Sequence, residues 1–283
     1  MPDIRQQVVW RFDGRVAALR VGVLSATIDP ARPGAGLHDV RVDQCDLVGV
    51  SLLGAQLAPD SAKGPVSDSS RATLRESYVR GLDFIATYPQ TPGSIAAEQV
   101  YWRAIVPDGE SPVCGVEVIA SLQTDLLDSH PSFHSTTAID AIAVCRLDAP
   151  ESDRFSPIAL SNNLPVTCAP QTGPGVFLVR LAECDHSYVE MIHPGDFRGT
   201  TISATAATAA ASPRTNEPPQ SRAKSDDAVR RVTLTSTLFP ERLEKGVIRR
   251  GRLAGIFVPR EGDEQSAAQF YRQWVASPPP LTA

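Results

Sequence analysis

A chain of 283 residues, 42% hydrophobic and 21% charged, has the make-up of a folded globular protein with enough apolar content for a sizeable core. Its net charge of −5 argues against nucleic-acid binding, which needs a basic surface to neutralise phosphates. No apolar run approaches the roughly 18 residues of a membrane span, so no membrane partner is expected.

The opening MPDIRQQVVWRFDGR carries Asp3 and Arg5 and no apolar stretch of the secretory kind, which leads us to expect a cytoplasmic protein. Asp13-Gly14 then stands between two β-prone runs, VVWRF and RVAALRVGVLSATI. That dipeptide suits a type I′ turn and predicts a hairpin. VRVDQCDLVGVSLL continues the β pattern after the Pro/Gly-rich DPARPGAG, and residues 59–71 read as a polar loop. Strands are predicted in ATLRESYVRGLDFIATY, EQVYWRAIV, CGVEVIASLQT, AIDAIAVCRL, GVFLVRLAE and SYVEMI. Residues 203–228 are rich in Ala, Ser, Thr and Pro and poor in large apolar side chains, which predicts a flexible insertion. RRVTLTSTLF and KGVIRRGRLAGIFVPR resume the β pattern. In GDEQSAAQFYRQWVAS, Ala267, Phe270, Tyr271, Trp274 and Val275 recur at helical spacing, with Asp263 as N-cap and the following prolines as stop.

Many short strands and one helix predict a mainly β fold: a large antiparallel β-sandwich of the supersandwich kind with one C-terminal α-helix. Residues 1–202 would form its main part. Residues 229–283 would complete the same domain, because two strands and a helix bury too little alone. The five cysteines (Cys45, Cys114, Cys145, Cys168, Cys184) are odd in number, far apart and without a C-x-x-C. That pattern is neither a disulfide framework nor a zinc site. Cys114 and Cys145, set among small and branched apolar residues, read as reduced core thiols.

Four of the five histidines fall in SHPSFHS and CDHSYVEMIHPGD. His130 and His134 are four apart, but Pro131 and the serines favour a loop over a helix that would align two imidazoles. His186 and His193 flank a strand and would lie roughly 23 Å apart if it is extended. No metal site is expected, and no motif implies a cofactor.

Alternation points to a surface instead. Val100, Trp102, Ala104 and Val106 face one way and Gln99, Tyr101 and Arg103 the other. Val116, Val118, Ala120 and Leu122 likewise oppose Glu117, Ser121 and Gln123. Leu74, Tyr78, Leu82, Phe84 and Ala86 are read against Arg75, Ser77, Asp83 and Thr87. If these strands are neighbours, one face carries Arg75, Gln99, Tyr101, Arg103 and Gln123 as ligand contacts, with Glu117, Asp83 and loop-borne His130 or His134 as acid/base candidates. Such a face suits a carbohydrate or another small polar ligand, although ion pairs on a solvated outer face give the same pattern. Lys245, Arg249, Arg250, Arg252 and Arg260 form a local basic stretch, best read as a charged edge strand.

Two stretches, SYVRGLDFIATYPQT with QVYWRAI and LEKGVIRRGRLAGIFVPREGDEQSAAQFYRQWVASPPPLT, resemble segments of uncharacterised bacterial β-rich proteins. Size and strand content are similar to galactose mutarotase-like β-supersandwich domains. The resemblance implies a sugar-binding fold, but the catalytic His and Glu of that group match no motif here. Two functions follow: a non-catalytic binding or interaction protein, or a carbohydrate-active enzyme of mutarotase, epimerase or lyase type.

Overall fold

A computed structural model describes residues 9–57, 72–92, 94–107, 112–161, 164–182, 184–207, 229–239 and 241–278. The Asp13-Gly14 hairpin joins β1 (Trp10–Phe12) to β2 (Ala17–Val21), with Phe12 opposite Ala17. Gly14 alone in the turn has a positive φ, 94°, so it is not type I′. The Asp13 carboxylate closes it instead, accepting from the N–H groups of Arg15 and Val16 at 2.8 and 2.7 Å. The next run breaks at Gly22 (φ 55°) into β2 and β3 (Leu24–Ile28). With β4 (His38–Val42) and β5 (Cys45–Leu47) they form a five-stranded meander.

The remaining large strands are β6 (Ser51–Leu57), β7 (Glu76–Arg80), β8 (Asp83–Tyr88), β9 (Ala97–Ile105) and β10 (Cys114–Gln123). After the short β11 (Asp128–Ser129) come β12 (Phe133–Leu147), β13 (Phe155–Pro157), β14 (Val166–Cys168), β15 (Val176–Leu181) and β16 (His186–Ile192). The chain then forms β17 (Gly199–Ala206), β18 (Arg230–Leu238), the short β19 (Leu243–Glu244), β20 (Ile248–Pro259) and the helix α1 (Asp263–Ala276). Thirteen of these strands make one antiparallel sheet in the order β14-β17-β18-β12-β15-β16-β20-β10-β9-β8-β7, with β6 and β13 also paired to β12. The two-stranded β11-β19 ribbon stands apart. Strand β12 is the corner. Its first half pairs with β18 and β6, its second with β15 and β13, and the register slips between Ala141 and Ala143. The sheet therefore folds over to give a large sandwich with one helix.

Trp102, Phe84, Val100, Val118, Leu253 and Phe257 share the main core with Trp10, Leu19 and Ile28 of the small meander. Trp102 is fully buried and stacks on Phe84 at 5.7 Å. Trp102→Ala should lower stability by about 3–5 kcal/mol, the range for emptying an aromatic site; urea unfolding measures it, and a loss below 1 kcal/mol would contradict this packing. A second cluster lies on the opposite face, where Ala267, Ala268, Tyr271 and Trp274 of α1 cover Val189, Met191, Ala254 and Ile256.

Three expectations are corrected. β20 is no edge strand: it sits between β16 and β10, because its long apolar second half fits a fully covered position. Asp263 is the first helical residue and the N-cap is Gly262, φ 71°; the Asp263 carboxylate instead binds Arg180 and Ser187. Residues Ser203–Ala206 continue β17, which is paired throughout with β18. The expected insertion from 208 to 228 and the polar loop at 59–71 lie outside the described residues. No helix among the described residues is long and apolar enough to cross a membrane.

One polar network runs through the sandwich interior. Glu190 on β16 accepts from the hydroxyls of Thr137 (2.5 Å), Tyr188 (3.1 Å) and Ser236 (3.3 Å), the first and last from the opposing layer. Gly255 makes room for it: a Cβ there would sit 2.5 Å from the Tyr188 hydroxyl. Burial outweighs these hydroxyl bonds and pushes the Glu190 carboxyl up to about 7.

Candidate functional site

β8, β9 and β10 are consecutive neighbours, and their register fixes what the outward side chains meet. Asp83 lies opposite Arg103, which lies opposite Glu117. The next row is Ile85–Tyr101–Ile119, and the next Thr87–Gln99–Ser121, extended by Arg250 of β20. Trp102 points into the main core and Tyr101 to the outer face, as alternation requires.

α1 divides this face. Beneath its last turn, Glu117 accepts from Arg252 Nε at 2.7 Å and from Trp274 Nε1 at 2.9 Å. Arg252 also donates to the carbonyl and hydroxyl of Ser277, both at 3.1 Å, and lies 5.0 Å over the Trp274 ring. Glu117 thus anchors the helix. Asp83 is held in a two-pronged pair with Arg103, at 2.7 and 2.9 Å. Arg103 stands between the two carboxylates, which lie two strands apart, about 10 Å at the backbone. They do not converge on one substrate atom.

The histidines do not join them. His130 is exposed, 3.9 Å from Asp128. His134 lies within β12 rather than in a loop, between the hydroxyls of Ser132 (3.2 Å) and Thr237 (3.3 Å), and burial holds its pKa down. His193 packs edge-on to Trp274 at 5.9 Å. Among the described residues no group of three or more His, Cys, Asp or Glu is placed to hold a metal. The basic stretch is dispersed: Arg249 pairs with Glu241 at 2.8 Å, Arg252 is buried on Glu117, and Arg260 binds the carbonyls of Leu181 and Cys184.

Beyond the helix the outer face is open. A cavity of about 220 Å³ is lined by Arg75, Thr87, Gln99, Ser121, Gln123 and Arg250, among others. Tyr88, Glu98 and Leu122 also line it, but alternation turns their side chains toward the main core, so main chain makes the floor there. Gln99 is oriented from two sides: Tyr101 donates to its Oε1 at 2.7 Å and its Nε2 donates to Thr87 at 3.1 Å. One amide hydrogen and one lone pair are left over. The Ser121 hydroxyl is buried and has no partner among the described residues.

Three of the five anticipated ligand contacts, Arg75, Gln99 and Gln123, therefore meet at one cavity. Tyr101 supports it from the side, and Arg103 belongs to the Asp83 pair. Ser121 and Arg250 join the cavity although neither was singled out as a contact. Ser121 was legible as an outward residue of β10, whereas Arg250 needed the β10–β20 pairing, which no local pattern displays. The β7–β8 hairpin also departs from the single strand expected: its turn is at Gly81-Leu82, so Tyr78 joins Ile85 on the outer face and Ser77 faces the core side with Ala86.

The site and fold define a large antiparallel β-sandwich with a small polar cavity on the open part of its outer face. No known family matches the sequence, and no curated protein matches it. Among solved structures, the chain is similar to a candidate mutarotase from Salmonella typhimurium at 10% identity, over 88% of this chain and 92% of that one, TM-score 0.49. It is also similar to a candidate aldose 1-epimerase from Klebsiella pneumoniae at 8% identity, over 95% and 87%, TM-score 0.44. A third is the 4-alpha-glucanotransferase of Thermococcus litoralis, at 9% identity over 87% of this chain but 38% of that one, TM-score 0.47.

Proposed function

We propose that the chain binds a small polyhydroxylated ligand, a carbohydrate, in the cavity floored by Thr87, Gln99 and Ser121. The observation that carries this reading is the Ser121 hydroxyl. A buried polar group without a partner costs about 1–3 kcal/mol, which a ligand hydroxyl at the same place would recover. Gln99, held by Tyr101 and Thr87, offers that ligand one donor and one acceptor, the pairing a sugar hydroxyl satisfies. Arg75, Gln123 and Arg250 form the rim. The volume lies below the roughly 300 Å³ where drug-sized sites begin, which fits a single small ligand.

Binding is favoured over turnover because Arg103 holds both oxygens of Asp83, and Arg252 and Trp274 hold Oε1 of Glu117. Thermal unfolding against neutral sugars and sugar phosphates tests this. A true ligand at a hundred times its dissociation constant should add about 2.7 kcal/mol. Gln99→Ala and Ser121→Ala should remove that gain while still folding. A panel without any shift, or a shift untouched by both variants, excludes this cavity. Proton NMR exchange between anomers of the bound sugar would, if accelerated, select the carbohydrate-active reading, mutarotase- or epimerase-like, over simple binding.

A further inference from the structure

The last strand of the large sheet, β7, leaves one of its edges unpaired among the described residues. Its neighbour β8 meets it in register over all five residues, from Glu76 opposite Thr87 to Arg80 opposite Asp83. Arg80 and Asp83 flank the two-residue Gly81-Leu82 turn, so they exchange both main-chain hydrogen bonds, and Tyr78 and Glu76 repeat this along the strand. The N–H and C=O groups of Ser77 and Val79 therefore point away from β8, and no described strand pairs with them there. β1 lies on the core side of the hairpin, where Trp10 and Phe12 pack on Phe84, the residue opposite Val79. It covers the face and not the edge. The devices that blunt such an edge are absent from β7: it holds no proline or lysine, no bulge interrupts its five pairs, and Tyr78 and Val79 are 38% and 37% exposed.

We propose that β7 pairs antiparallel with β7 of a second copy of this chain, about a two-fold axis through Tyr78. The order Glu-Ser-Tyr-Val-Arg is its own complement when reversed. A two-fold contact sets residue i on residue j and j on i, so this register places Glu76 opposite Arg80 of the second copy, twice, with the two Tyr78 side chains between the pairs. All three residues stand on the outer face, with Thr87, Ile85 and Asp83 beside them. The same register aligns the main chain. Ser77 of each copy lies opposite Val79 of the other, and both have outward groups, so four hydrogen bonds close the edge. Tyr78 against Tyr78 falls on a non-hydrogen-bonded pair, where side chains approach closely. Sliding the register by two residues either way would set Glu76 against Tyr78 or Leu82 and lose both ion pairs. Within one copy the charges find no such partner. Glu76 and Arg80 are roughly 13 Å apart along the strand. Neither forms an ion pair among the described residues, and Asp83, opposite Arg80, is held by Arg103.

Sedimentation equilibrium of the full chain at micromolar concentrations tests this. The expected result is reversible association to twice the 30.3 kDa chain mass and no further, because the two-fold axis consumes the β7 edge of both copies. Arg80→Glu, which sets Glu against Glu at two places, should weaken the dimer about tenfold or more, and Glu76→Arg should do the same with Arg against Arg. Mixed in equal amounts, these two variants should associate at least as tightly as the wild type, because each supplies the charge the other lacks. Val79→Pro should abolish pairing, since it removes an outward N–H and leaves the bonds to β8. Glu76 and Arg80 are exposed, so the charge variants keep the fold whatever the proline does, and unchanged melting of the dilute variants checks it. A wild-type chain that stays monomeric, a dimer that survives a folded Val79→Pro variant, or charge variants that fail to associate on mixing would each overturn the proposal.

Discussion

Arg252→Ala should destabilise the protein by about 3–5 kcal/mol and loosen the end of α1. The side chains of Arg252 and Glu117 are only 7% and 6% exposed, so removing the guanidinium leaves a carboxylate in a dry site, its Oε1 held by the Trp274 N–H. The same cut also frees Ser277 and uncovers one face of the Trp274 ring. Glu117→Ala should cost a similar amount, since it strands the opposite charge. The two losses overlap, and the double variant Glu117→Leu with Arg252→Met should recover most of the stability, because a buried pair replaced whole by apolar groups is near neutral. Urea unfolding gives the magnitudes, and Trp274 fluorescence separates helix undocking from global loss. If Arg252→Ala costs less than 1 kcal/mol, the anchor assigned to this pair is wrong.

Glu190→Gln should raise stability at pH 8 and flatten its pH dependence below neutrality. The folded-state carboxyl titrates near 7, above its ordinary value of 4.5. Between those values the folded chain holds a proton that the unfolded chain has released. Stability contributed by this group is therefore fully present below about pH 4.5, falls as pH rises towards 7, and is absent above it, a span of about 3 kcal/mol. The glutamine keeps the shape, and the hydroxyls of Thr137, Tyr188 and Ser236 can rotate to serve it. Glu98, pushed up to about 8 by burial alone, adds a second decline of the same sign that ends one unit higher. Unfolding curves from pH 5 to 9 should show the Glu190→Gln variant with about half of this pair's slope below pH 7 and an unchanged slope from 7 to 8, with Glu98→Gln needed to remove the rest. Identical slopes in wild type and Glu190→Gln would sink the assignment.

The strands were legible because two-residue alternation is strict where one sheet face meets the main core, as in VYWRA of β9 and GVEVIA of β10. What alternation cannot report is pairing. KGVIRRGRLAGIFVPR reads as charged at one end and oily at the other, and only its neighbours reveal a central strand. The same limit hid the fate of Glu117: nothing local says that a helix more than a hundred residues later lays Trp274 over it. Glu190 left a clearer trace. In SYVEMI it alternates with Tyr188 and Ile192, so an inward glutamate could have been read directly from the spacing. Gly81-Leu82 left none, because a lone glycine followed by leucine is a weak turn signal beside Asp13-Gly14.

The place of β20 also has a kinetic meaning. Strands β10 and β16 are synthesised long before Ile248–Pro259, yet each needs it to fill one of its edges. On the ribosome both would wait with bare amides and carbonyls exposed, so cooperative closure is delayed until that late segment has emerged. A nascent chain of this layout keeps strand edges open for longer than one built from sequential hairpins.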